Sequence, residues 1–511
     1  MAGLKSLLKE TAIYGLSSIV GRFLNYLLVP LYTVKISAAS GGYGVITNIY
    51  AYTALLMVIL TFGMETTFFR FMNKEGEDPA KVYPTTLTAV GTVGLLFVAL
   101  ILIFIKPIST FMGYQDHPSY VWTMAIVVAM DAFQAIPFNY LRYQKKAIKF
   151  ASLKLLFIIL NIALNLLYFV VLPPLYEQYP DTIGKIYSPE VGAGYVFYIN
   201  LFCTAFIMLL FYKELTAFKW TFDKKLMKKM LSYSWPILVL GIAGILNQTA
   251  DKILFPYIYK GSDAHAQLGI YGAASKIAMI MAILTQAFRY AYEPFVFGKT
   301  KDKDNKDTQA NVMKYFIIFT LLAFLAVIAY LDILKELLIG SDYWEGLKVV
   351  PIVMAAEMMM GVYFNLSFWY KLIDKTIWGA VFSAAGCIVL ILINVVFVPR
   401  YGYIACAWGG FAGYATAMIF SYLVGQVEAP IAYPLKEIAA YTLLAIALYA
   451  AMTYTKTLLP YWGAIALNTL LLLVFAAAIV KHELPIIKAE RARQTNNIQA
   501  NNNQTNNNQN E

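Results

Sequence analysis

Fourteen runs of mainly apolar residues, most of them about 18–25 residues long, succeed one another along the chain, and a run of that length is what one helix needs to cross a bilayer. They fall at 11–34, 43–69, 84–105, 119–141, 151–173, 191–212, 231–258, 267–297, 312–331, 349–370, 376–398, 402–424, 435–455 and 461–480. Inside hydrocarbon every backbone N–H and C=O must be satisfied within the segment, which over such runs leaves the α-helix. Mean hydropathy is +0.62 and charged residues make up 14% of the chain, against about 25% in a soluble domain. The expected fold is therefore an all-α polytopic membrane protein with about 14 transmembrane helices. The first run follows basic residues, yet it is long, lacks a small-residue cleavage site and is followed by many similar runs. It reads as the first membrane helix and not as a leader.

The basic residues test this reading. With the N-terminus in the cytoplasm, loops on that side and the first residues of the runs that adjoin them hold 28 of the 40 lysines and arginines. The opposite loops hold eight: Lys35, Lys106, Lys185, Lys260, Lys335, Lys348, Arg400 and Lys456. Lys and Arg accumulate in cytoplasmic loops, so the ratio places both termini inside and supports an even number of helices. The four that remain, Arg22, Lys252, Lys276 and Arg289, lie within the spans.

Several function classes drop out. The three cysteines sit in apolar runs, which suits small core residues and neither a disulfide framework nor a thiolate metal site. The three histidines are far apart, with no ligand spacing, and no Walker lysine loop or dinucleotide glycine motif occurs. No cofactor, no metal, no enzymatic activity and no nucleic-acid partner is expected. Transport would be driven by a proton or sodium gradient.

A charged stretch at 213–230 divides the chain. The segments before and after it show a faint repeat, with "LVPLYTVK" and "LFPYIYKG" placing Pro30 and Pro256 in register. The expected organisation is an N-terminal six-helix lobe (1–212), a cytoplasmic linker (213–230), a C-terminal six-helix lobe (231–425) and two extra helices (426–481). The Asn/Gln-rich tail (482–511) has little to bury and is expected to be disordered in the cytoplasm. Parallel repeats of this kind carry transporter sites between the halves.

Charge at bilayer depth is costly and marks substrate or ion pathways. Asn25 lies one helical turn after Arg22, and Asn247, Gln248, Asp251 and Lys252 share one helical face. Asp251 is expected to partner either Lys252 or Arg22. Arg22, Lys252, Lys276 and Arg289 exceed the acids of their own helices, and a positive cavity favours an anionic substrate whose phosphate an arginine can grip with two hydrogen bonds. An exporter of organic cations would need the opposite sign. Asp251, Glu65, Asp131 and Glu357 are the carboxylates available for ion coupling. Near the cytoplasmic ends, Arg70, Arg142 and Glu293 are accounted for by snorkelling.

Four stretches, "LLKETAIYGLSSIVGRFLNYLLVPLYT", "GGYGVITNIYAY", "FGMETTFFRF" and "NVVFVPRYGYIACAWGG", together resemble the bacterial polysaccharide flippases, which move O-antigen or capsule repeat units and belong to the multidrug/oligosaccharidyl-lipid/polysaccharide exporter superfamily. The resemblance implies two six-helix lobes in a V around a central cationic cavity in the bacterial inner membrane. It implies as substrate an undecaprenyl-pyrophosphate-linked glycan, moved from the cytoplasmic to the periplasmic leaflet by alternating access, for lipopolysaccharide, capsule or exopolysaccharide synthesis. Membrane lipids and a polysaccharide polymerase or ligase are the implied partners. Its carry-over is limited to Arg22, Lys252, Lys276 and Arg289, which match a basic lumen and no invariant motif; Asn25, Asn247 and Gln248, beside these cations, are expected to share the pyrophosphate and sugar site. Helices 13 and 14 depart from the common twelve-helix form and keep a lipid II flippase open as an alternative, beside a cation-coupled multidrug exporter.

Overall fold

The computed structural model describes residues 26–298, 305–373 and 375–508, and within these the side chains of 290, 291, 293–298, 305, 487 and 489–508 are not described. No strand occurs among the described residues. The long helices are α1 (Leu28–Lys35), α2 (Gly42–Thr61), α3 (Met64–Met72), α4 (Pro79–Ile103), α5 (Pro118–Tyr143), α6 (Ala147–Leu166), α7 (Gly194–Leu210), α8 (Lys224–Ile258), α9 (Ala264–Gly298), α10 (Asn305–Ala329), α11 (Val350–Leu366), α12 (Ile377–Tyr401), α13 (Tyr403–Glu428), α14 (Leu435–Leu458) and α15 (Tyr461–Asn508). Twelve helical stretches among the described residues are long and apolar enough to cross a membrane, and they coincide with twelve of the expected runs. The expected sixth span is α7, apolar but only 17 residues long. The first, 11–34, lies mostly outside the described residues, which contain only its end as α1.

In three places the helices add detail to these expectations. The span over 43–69 is two helices, because Phe62 and Gly63 both take left-handed backbone angles, φ 35° and 74°. A side-chain-bearing residue is strained there, and the adjoining Gly63 relieves the crowding that would follow. The break re-aims the chain so that Glu65 opens α3 in its first turn. The charged linker is shorter than 213–230. The Asp223 carboxylate accepts hydrogen bonds from the backbone N–H groups of Lys225 and Leu226 at 2.9 and 3.0 Å, capping α8 at Lys224. Those bonds hold its carboxyl below the usual carboxylate range. The tail, expected to be disordered, carries helical backbone through Asn508. Extending an existing helix needs only one hydrogen bond per added residue and no new nucleus.

The described helices form two compact units. The first runs to Ile283 and resumes at Lys335–Glu428, so both expected six-helix halves contribute to it. Its core includes Met64, Phe68, Leu87, Ile136 and Met230 from α3, α4, α5 and α8. Where α2 crosses α9, small residues let the backbones touch. A Cβ on Gly44 would stand 1.7 Å from the His265 carbonyl oxygen, and one on Gly272 would stand 2.5 Å from Thr47 Oγ1. In lipid, where apolar burial gives helices little reason to associate, such close packing supplies the attraction. The second unit comprises Leu284–Leu334 and the C-terminal helices from Ala429, and within it α10 packs on α14 and α15.

Candidate functional site

Within the first unit, α8 and α9 carry two lysines at membrane depth. Lys252 Nζ lies 3.0 Å from both carboxylate oxygens of Asp251 and 3.0 Å from the Gln248 carbonyl oxygen. Asp251 is buried, and the Tyr271 hydroxyl donates to its Oδ2 at 2.6 Å. Asp251 is thus partnered by Lys252. The pair is anchored from other helices. Asn48 Nδ2 donates to the Lys252 carbonyl oxygen at 2.7 Å, and the Tyr114 hydroxyl donates to Asn48 Oδ1 at 2.7 Å.

Lys276 is different. It is half-buried on α9, and no carboxylate lies within ion-pair distance of its ammonium among the described residues. The charge that reaches it is that of Lys252, of the same sign. Its helix is held in place by the Tyr26 hydroxyl, which donates to the Lys276 carbonyl oxygen at 2.7 Å. Lys252 is thus answered by Asp251, and Lys276 is the cation of this patch with no carboxylate at ion-pair distance among the described residues.

The other expected site residues are distributed unevenly. Arg22 and Asn25 lie outside the described residues. Arg289 is on α9 beyond the unit boundary at Ile283. Asn247 faces α12, donating to the Ser383 carbonyl oxygen at 2.8 Å and to that of Ala243 at 2.9 Å. Gln248 is exposed. On α11, Glu357 is within electrostatic reach of Lys252 while its Oε2 is buried without a hydrogen-bond partner. Glu65 and Asp131 belong to a separate place, a cavity of about 500 Å³ lined by α2, α3, α5, α6 and α7. Lys154 and Arg142 face the same space, and Lys154 Nζ lies 4.0 Å from the centre of the Phe138 ring. Thr204 Oγ1 donates to Asp131 Oδ1 at 3.2 Å.

Sequence reasoning passed over Lys154 and Lys314 by counting them as loop cations. Lys314, in the second unit, is 4% exposed and sits 2.8 Å from Glu483 and 3.0 Å from Glu437, with the Tyr441 hydroxyl donating to Glu483 at 2.9 Å. The signal was available, since both lysines fall inside the first turn of an apolar run and not before it.

Among the described residues, charged groups lie buried between helices long and apolar enough to cross a membrane. The fold matches solved carriers. The lipid II flippase MurJ in an inward closed conformation superposes with a TM-score of 0.69 at 15% identity, covering 93% of this chain and 100% of that one. An inward-facing multidrug resistance transporter of the MATE family, in the MOP superfamily, gives 0.56 at 16% identity over 82% and 94% of the two chains. At these identities the likeness is one of fold. Residues 7–289 match the family described as polysaccharide biosynthesis protein, and the chain belongs to it. It is also similar to protein 1 of the Lsg locus of Haemophilus influenzae, 21% identical over 409 residues, or 78% of this chain and 94% of that protein.

Proposed function

We propose that this protein flips undecaprenyl-pyrophosphate-linked oligosaccharide repeat units from the cytoplasmic to the periplasmic leaflet by alternating access, for lipopolysaccharide, capsule or exopolysaccharide assembly in a bacterial inner membrane. The observation that carries the reading is Lys276, a membrane-depth ammonium with no carboxylate within ion-pair distance among the described residues and with the Lys252 cation close by. A charge in that position is stabilised by an anion brought to it, and a pyrophosphate is the anion that lipid-linked glycans carry. Arg22 and Arg289 join this role by sequence. Glu357 is the best-supported coupling carboxylate. Asp251 is committed to Lys252 and Tyr271, whereas Glu357 keeps a buried oxygen with no partner, a place for a proton.

A second reading, flipping of lipid II, is favoured by the likeness to MurJ along that protein's full length. Reconstitution into proteoliposomes separates the two. Flipping of a labelled undecaprenyl-pyrophosphate oligosaccharide, with little movement of lipid II, supports the first reading. The reverse selectivity replaces it, and export of a drug cation alone would overturn both.

A further inference from the structure

We infer that the cavity within α2, α3, α5, α6 and α7 receives uncharged sugar rings of the lipid-linked glycan, at a place distinct from the cations that hold its pyrophosphate. The inference rests on the flippase reading. The cavity, about 500 Å³, is in the size range of small-molecule sites and has room for a short oligosaccharide.

Its charges balance. Glu65 and Asp131 face Lys154 and Arg142, so the space has no net attraction for a phosphate or for an organic cation. What it offers is neutral hydrogen bonding. Asn139 is 4% exposed and its Nδ2 has no partner. Asn200 is 9% exposed, gives its Nδ2 to the Tyr50 hydroxyl at 2.9 Å, and leaves Oδ1 without a partner. One unmet donor and one unmet acceptor, both deeply buried and both lining the same space, are costly unless a ligand meets them. Nearby, Tyr50 keeps 37% of its surface open. An aromatic ring beside amide donors and acceptors suits the apolar face and the hydroxyl edge of a sugar. An apolar ligand would strand the amides, and a bare metal ion would leave most of the cavity empty.

The test uses full-length protein in detergent and three probes: lipid-linked oligosaccharide extracted from the source cells, sugar-free undecaprenyl pyrophosphate, and the free oligosaccharide released by mild acid. Wild type is expected to bind the glycan-bearing lipid about tenfold more tightly than the sugar-free lipid, the scale of two ordinary hydrogen bonds. The Asn139→Ala, Asn200→Ala double variant should lose most of that preference while keeping its affinity for the sugar-free lipid. Ala135→Phe, which fills the cavity with both amides intact, should do the same, with monodisperse elution certifying the fold of each. Equal binding of both lipids by wild type overturns the glycan site and leaves the flippase reading standing. So does a preference that survives both variants. Free oligosaccharide bound as tightly as the lipid-linked form would reassign the cavity to soluble saccharides. Binding of neither lipid would overturn the flippase reading, and the cavity assignment with it.

Discussion

Lys276 and Lys314 are both lysines inside membrane-spanning helices, and the protein treats them in opposite ways. Lys314 has two carboxylates within 3.0 Å, with a tyrosine hydroxyl on one of them. Lys276 has no carboxylate at ion-pair distance among the described residues. Removing an ion from water costs several kcal/mol, which a buried pair offsets in part through its own attraction and a lone ion does not offset at all. The paired lysine is explained by the fold it fastens, tying α10 to α14 and α15 within the second unit. The lone one is the position proposed to meet an incoming anion.

If that contrast is right, the two positions fail differently. The largest effect on stability belongs to Lys314→Met. It leaves Glu483 buried without its cation and should cost about 3–5 kcal/mol, read as a marked fall in the thermal unfolding midpoint in detergent. Lys276→Met should leave that midpoint unchanged or raise it. In exchange it should weaken binding of undecaprenyl pyrophosphate by roughly tenfold to a hundredfold, the scale of about 1.5–3 kcal/mol for a hydrogen bond to a charged group. A parallel loss of stability in both variants would erase the distinction. Glu437→Gln sharpens it from the other side. The Glu437 carboxylate is half exposed, so screening limits its share of the Lys314 cluster to about 1 kcal/mol or less, a small shift in the same melting experiment. Smallest of all is truncation after Lys488, which removes the Asn/Gln-rich stretch and should leave flipping at the wild-type rate.

Much of the fold was legible because hydropathy acts over whole helices. Twelve expected runs coincide with membrane-length helices, and the runs beyond α13 emerged as the real helices α14 and α15. Less was legible where a single residue decides. The break at Phe62–Gly63 rests on two backbone angles that an apolar run does not announce. Lys154 and Lys314 stand near the ends of apolar runs, where an interfacial cation and an inward-facing one have the same local sequence. The partner of Asp251 was open between Lys252 and Arg22, because only side-chain placement distinguishes a neighbour along the helix from a cation across it. Among the described residues, which do not include Arg22, Lys252 holds that place, joined by Tyr271, which no spacing rule links to it. Asn247 shares a face with Asp251 by period, yet its amide is turned to the Ser383 carbonyl. Periodicity gives the face and leaves open which neighbour is met there.

Lys276 is proposed to meet the pyrophosphate, and the flipping rate of a fluorescent undecaprenyl-pyrophosphate oligosaccharide in proteoliposomes, for wild type, Lys276→Met and Lys276→Arg at equal protein density, tests this directly. The methionine variant is expected to lose nearly all flipping, and the arginine variant, which keeps the charge, to retain most of it. A methionine variant that flips at the wild-type rate would contradict the proposal.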